Sequence, residues 1–210
     1  GYKWLRRFRE GGEPALQDKS RRPHHSPCRT GAEAEAALRE AISLGCDEAV
    51  LVSDRKFAGS DTWATSYTLA CAIEKLETYD VILCGKQASD GDTAQVGPGI
   101  STHLDIPQVT YVKKISEINE KAAKVERMTE EGYDVVEVPL PCLFTVVKEI
   151  NTPRMPSLKG MMRAKSAKIA KWTADDLDAD PEALGLEVAE ALIRQGADRL
   201  TADLLGRLPS

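Results

Sequence analysis

The sequence predicts an α/β protein: a parallel sheet covered by helices and extended by antiparallel strands. Three observations carry this reading. Helical and strand-like patterns alternate between Gly31 and Leu104. The segment DVILC at 80–84 is a continuous apolar run after its first residue, as expected of a strand buried on both faces. From Gln108 to Val147 the helical period gives way to β-rich runs, with Glu130, Glu131 and Gly132 offering a hairpin turn.

Taken in order, residues 32–44 form an Ala-rich helix with Ala37, Leu38, Ala41 and Ile42 on one face and Gly45 as its C-cap. Residues 48–52 are a short apolar strand. Residues 62–76 are helical, led by the cap residues Ser60 and Asp61, with Tyr67, Ala70, Ile73 and Leu76 facing inward. The strand at 80–84 joins that at 48–52 in one parallel sheet through a right-handed crossover. Residues 93–104 read as a further helix, weakened in its middle by Gly97, Pro98 and Gly99. Strands follow at 108–118, 123–129, 133–138 and 143–147, then a Pro-punctuated loop at 152–156 and a basic segment at 163–168. The tail, 181–210, repeats apolar residues at helical spacing: Leu184, Val188, Leu192 and Ile193, then Leu200, Leu204 and Leu205.

A chain of 210 residues suits one domain with a sizeable core plus appendages. No apolar run approaches the ~20 residues that span a bilayer, and the basic N-terminus is not followed by the apolar stretch of a signal peptide. Five cysteines, Cys28, Cys46, Cys71, Cys84 and Cys142, include no C-x-x-C pair, which argues against a disulfide framework or a zinc site. A reducing, cytoplasmic location is expected. His24, His25 and His103 form no ligand cluster, so metal chemistry has no support.

Charge divides the chain. Residues 1–30 hold eight Lys/Arg against three Asp/Glu, whereas the remaining 180 hold twenty against thirty. A basic head on an acidic body suggests two origins. Trp4, Leu5 and Phe8 recur at helical spacing before Gly11 and Gly12, and Pro14, Pro23 and Pro27 discourage structure beyond. The organisation expected is a basic head at 1–30, an α/β domain at 31–180 and a helical tail at 181–210.

Two loops following strands carry the chemistry, because ligands of open α/β sheets bind at the carboxyl ends of strands. The first contains Ser53, Asp54, Arg55, Phe57, Gly59 and Asp61, and runs into Thr62 and Thr65. The second contains Gly85, Gln87, Asp90, Gly91, Asp92 and Thr93, and continues through Ala94, Gln95, Val96 and Gly97. Each leads to a helix N-terminus, where free N–H groups and the macrodipole favour phosphate. Gly91 admits close backbone approach, and Thr93 and Gln95 offer a hydroxyl and an amide. Simple capping by Asp61 and Asp92 is the alternative, and residue chemistry alone leans toward it.

A resemblance reaches further. DVVEVPLPCLFTVVKEINTPRMPSLKGMMRAK at 134–165, LCGKQASDGDTAQVGP at 83–98 and LVSDRKFAGSDTWATS at 51–66 resemble the β subunit of electron-transfer flavoproteins over roughly 31–186. The resemblance implies a Rossmann-like, adenine-nucleotide-binding fold and an electron carrier rather than an enzyme, with NADH-oxidising electron bifurcation only when it is assembled with an α subunit and FAD. In that family the segment matching 90–97 grips the phosphates of an adenine nucleotide. DRxFxGSDTxATS at 54–66 and DGDTAQVGP at 90–98 look like the bifurcating version, which makes FAD the preferred cofactor and AMP the alternative. Arg55 is the residue to stabilise reduced, anionic flavin, since a guanidinium stays charged at any working pH. The loop matching 156–165 projects outward in the family and anchors a dehydrogenase, which assigns partner docking to Leu158, Met161 and Met162. The partners implied are the α subunit of a heterodimer and an acyl-CoA dehydrogenase-type flavoprotein or quinone oxidoreductase.

The resemblance stops at both ends. Family members open with a strand–helix–strand for which no counterpart is recognised here, so half of the adenine pocket is expected to be missing and FAD affinity to be poor. GYKWLRRFRE at 1–10 is similar to the recognition helix of an insertion-sequence transposase helix-turn-helix, but with one helix of the motif DNA binding is the least favoured function. GLEVAEALIRQGAD at 185–198 resembles the C-terminal end of hydroxymethylbilane synthase, and carries no activity over. The competing reading is an inert or purely structural fragment that binds no nucleotide.

Overall fold

A computed structural model describes residues 31–88, 91–152 and 155–179. The basic head, the helical tail and Asp90 therefore lie outside the described residues. Helix α1 (Gly31–Leu44) ends where Gly45 takes φ 120, a conformation suited to glycine, with the Gly45 and Cys46 N–H groups bonded to the carbonyls of Ile42 and Ala41. Strand β1 (Val50–Val52) follows, then a 3-10 turn at Arg55–Phe57 and helix α2 (Thr62–Glu74). Asp61 caps α2 by accepting from the Ala64 N–H at 2.8 Å. The helix stops before Leu76, which is exposed rather than facing inward, whereas Ala70 and Ile73 are buried as expected.

Strand β2 (Val81–Gly85) leads to helix α3 (Val96–His103), strands β3 (Gln108–Ile118), β4 (Ala122–Met128), β5 (Tyr133–Pro139) and β6 (Cys142–Val146), helix α4 (Leu158–Ser166) and strand β7 (Ala170–Trp172). Five strands form one sheet in the order β2-β6-β3-β4-β5. The β2–β6 and β6–β3 pairs are parallel, and the β3–β4 and β4–β5 pairs are antiparallel. The architecture is thus the α/β core with an antiparallel extension. The hairpin between β4 and β5 turns at Gly132, where the Thr129 N–H reaches the Gly132 carbonyl at 3.1 Å.

The sequence reads 48–52 and 80–84 as members of one parallel sheet, and the structure corrects this. β1 pairs with β7 in a separate two-stranded sheet, while β2 pairs with β6. A ladder satisfies backbone groups with whichever strand of suitable direction lies alongside, and β7 and β6 supply parallel partners. Helix α2 spans the division. Ala72 packs in a cluster with Val52, Phe57, Trp172 and Leu177, and Ile73 in another with Ile82, Cys84, Ile100 and Leu143. On the opposite face of β2, Val81 and Leu83 join Phe144, Val112 and Val125, so the strand is buried on both sides as DVILC suggests.

Two further boundaries differ from expectation. Helix α3 starts at Val96 rather than at 93, because Asp92 and Ala94 take φ 47 and φ 55, values that interrupt a right-handed helix. Pro98 then falls in the first turn of α3, where its missing N–H removes no helical bond. Residues 158–166 are a helix rather than part of a projecting loop, since Ser157 caps the segment by accepting from the Gly160 N–H at 3.0 Å.

Candidate functional site

The two loops meet. Thr62, first residue of α2, donates its hydroxyl to Oε1 of Gln95 at 2.8 Å, and Gln95 is the N-cap of α3. Beneath them Ser66 donates to the carbonyls of Thr62 at 2.6 Å and Val96 at 3.1 Å. Gly99 makes this seam possible, because a Cβ there would lie 2.4 Å from Ser66 Oγ. A cleft of about 340 Å³ opens over the seam, bounded by Thr62, Trp63, Ala94, Gln95, Pro98 and Thr102.

The backbone entering α3 changes hand between two successive residues. Ala94 has φ 55 and Gln95 follows in the right-handed region at φ −92, ψ −28. Such left–right alternation turns successive N–H groups toward one concavity, here at the start of a helix. A left-handed alanine costs about 1–2 kcal/mol, which simple capping would not require. Asp92, also left-handed, bonds its N–H to the Ala88 carbonyl at 3.0 Å, and its carboxylate accepts from the Gln87 amide.

The glycines separate into two kinds. A Cβ at Gly59, Gly85 or Gly91 would meet nothing within 4 Å, so each leaves open space beside the backbone. At Gly97 it would fall 2.5 Å from Thr145 Cγ2, so this glycine serves the packing of α3 on β6. Thr93 is exposed and Val96 packs partly into the core.

The first loop divides similarly. Asp54 accepts from the N–H of Lys56 at 3.1 Å with one carboxylate oxygen and from that of Ala174 at 3.1 Å with the other. These backbone bonds, that of Lys56 foremost, hold its carboxyl below the usual range. Asp54 is therefore a latch between the loop and the segment after β7. Phe57 packs with Val52 and Trp172. Asp61 caps α2, and Thr65 donates back to the Asp61 carbonyl at 2.6 Å. Arg55 is exposed and Ser53 half-buried.

The residues assigned to docking stand outward on α4: Leu158 is 78% and Met162 72% exposed, and Met161 40%. Met155, just before them, is 87% exposed and extends the apolar surface. Among the described residues the buried thiols belong to the core rather than to either site. Cys84 and Cys142 are buried, and burial pushes Cys142 up to about 12. Among the described residues no cluster of His, Cys, Asp or Glu could hold a metal ion, and no helix is long and apolar enough to cross a membrane.

The family model for the electron transfer flavoprotein domain matches residues 30–177. The chain belongs to the electron transfer flavoprotein family. Among its relatives are the electron transfer flavoprotein subunit beta of Thermoanaerobacterium thermosaccharolyticum, 55% identical over 156 residues, which cover 74% of this chain and 59% of the relative. The caffeyl-CoA reductase-Etf complex subunit CarD of Acetobacterium woodii is 51% identical, with coverage of 75% and 60%. The protein FixA of Azotobacter vinelandii is 41% identical, with coverage of 84% and 62%. The chain thus spans about three fifths of the length of these electron transfer flavoprotein relatives. A second family model, the leucine-zipper of insertion element IS481, matches residues 1–38, in keeping with the transposase-like head.

Residue patterns alone do not reveal Ser66, Gly99 or the Asp54–Ala174 latch, since each depends on a contact distant in sequence. The left-handed turn at Ala94 has no local signal either, because residues other than glycine, asparagine and aspartate seldom adopt that conformation.

Proposed function

We propose that the chain is the β subunit of a heterodimeric electron transfer flavoprotein and carries electrons through a flavin nucleotide held between its two loops. The observation that carries this reading is the left–right turn at Ala94 and Gln95, opening α3 and tied to α2 through Thr62. Phosphates would lie against the N–H groups of residues 94–96, with Gly91, Asp92 and Thr93 alongside. The open backbone at Gly59 and Gly85 would admit the remainder of the ligand. When bound, the isoalloxazine ring accepts and passes on electrons, while the protein positions and tunes it. Arg55, exposed in the first loop, would supply positive charge near the reduced ring. The motifs at 54–66 and 90–98 favour FAD over AMP.

Family membership and the relatives called subunit beta support an α-subunit partner. The outward apolar residues of α4, with Lys159 and Lys165 among them, fit transient docking of a flavoprotein dehydrogenase. On this reading 31–180 is the functional domain, and the segments at 1–30 and 181–210 are additions to it. The test is a titration of FAD into the chain purified after co-expression with an α subunit, followed by flavin fluorescence. Saturable binding that Gln95→Ala weakens supports the proposal, and a folded heterodimer with no FAD site sensitive to that substitution refutes it.

A further inference from the structure

Helices α1 and α4 each send an arginine to the carboxyl end of the other. Arg39 Nη1 donates to the carbonyls of Ala164 at 2.7 Å and Ala167 at 3.1 Å, the latter residue being the C-cap of α4. Its guanidinium is held in plane by Glu35, which accepts from Nε at 3.1 Å and Nη2 at 2.7 Å. In return Arg163 Nη2 donates to the carbonyls of Ile42 and Cys46 at the end of α1. Gly160 completes the arrangement, since a Cβ there would lie 2.3 Å from the Ser43 carbonyl.

This clamp matters because, among the described residues, α4 has little else to hold it. Of its nine residues only Ala164 is buried, and its large apolar side chains point outward. A helix of that length is not stable by itself. Capping of its last carbonyls by a cation therefore decides both its persistence and the direction in which it turns Leu158 and Met162.

We propose that Arg39 is a positioning residue for partner docking, acting through α4. The inference rests on the reading of α4 as a docking helix. The test measures binding of the full chain to a purified acyl-CoA dehydrogenase, together with amide exchange in α4 and FAD affinity. Leu158→Ala should weaken docking by about tenfold or more with α4 exchange unchanged. Arg39→Ala should speed exchange at Ala164–Ala167 and weaken docking by about fivefold to tenfold, leaving FAD affinity as it was. Arg39→Lys, which keeps a donor within reach of the carbonyls, should recover part of the loss. Glu35→Gln, a milder change, should move docking in the same direction should Arg39→Ala fail to fold. If Leu158→Ala weakens docking while neither Arg39→Ala nor Glu35→Gln does, the positioning role is wrong and the docking helix stands. If Leu158→Ala has no effect, the docking reading fails and this inference with it.

Discussion

The hydroxyl of Thr62 donates to Oε1 of Gln95 across 2.8 Å, and this bond joins the N-termini of α2 and α3. It orients the Gln95 amide so that its carbonyl oxygen is occupied and its NH2 group is left to donate elsewhere. Two helix N-termini, each carrying partial positive charge, are thereby brought to one edge of the fold. A bound phosphate would relieve the repulsion that this arrangement builds in.

Replacement of Gln95 by alanine should weaken nucleotide binding by about 1–3 kcal/mol, the loss of a hydrogen bond to a charged group. The check is a flavin fluorescence titration of the variant against the parent chain. Equal affinities would mean that Gln95 only caps α3.

Gly97→Ala should destabilise the fold by about 1–3 kcal/mol, because its Cβ would fall 2.5 Å from Thr145 Cγ2. Thr145→Ser in the same chain removes that methyl and keeps the hydroxyl that accepts from the Tyr111 N–H at 3.1 Å. The double variant should therefore recover most of the loss, a coupling that urea unfolding of all four proteins will read. Additive losses would show that the glycine serves something other than α3–β6 packing.

His103 should make stability sensitive to mild acid. Its ring lies 4.2 Å from that of Trp63 and 5.6 Å from that of Tyr67, centroid to centroid, and its Nε2 is buried without a hydrogen-bond partner among the described residues. Burial lowers its pKa from the ordinary 6.5, against a hydrogen bond to the Trp63 backbone that acts the other way. The unfolded chain then takes up a proton before the folded one does, so the stabilisation is complete above about pH 6.5 and falls as pH drops below it. His103→Gln should flatten the stability profile between about pH 7 and 5, measured by urea midpoints. A profile unchanged by the substitution would exclude His103 as its source.

Much of the fold is legible because local patterns decide it. DVILC reads as a doubly buried strand and becomes one, and Asp61 reads as a helix cap and accepts from Ala64. The β-rich run after Gln108 has its four strands within a residue or so of expectation. What is not legible depends on partners far along the chain. β7 is three residues, Ala-Lys-Trp, with too short a run for any period, and only its pairing with β1 makes it a strand. The division of β1 and β2 between two sheets follows from that same pairing.

The candidate site is legible as two loops, but not as the geometry that joins them. The motifs place Thr62 and Gln95 on those loops, while their hydrogen bond spans 33 residues. Several assigned residues turn out to be engaged in holding the fold: Asp54 on Lys56 and Ala174, Phe57 packed against the core, and Gly97 against Thr145. A residue type suited to binding is equally suited to capping and packing, and only the three-dimensional contacts separate these uses.

The measurement that bears most directly on the central claim is a titration of FAD into the purified chain, followed by quenching of flavin fluorescence. It is repeated on a version in which residues 1–30 are replaced by the N-terminal residues of a longer relative. Saturable binding of one FAD per chain is expected in both proteins, and any difference in affinity between them measures what the relative's N-terminal residues add against the cost of association, about 4–15 kcal/mol of lost freedom. Both titrations should be sensitive to Gln95→Ala. Failure of either protein to saturate, with circular dichroism showing both folded, would contradict the assignment of these loops as a flavin-nucleotide site.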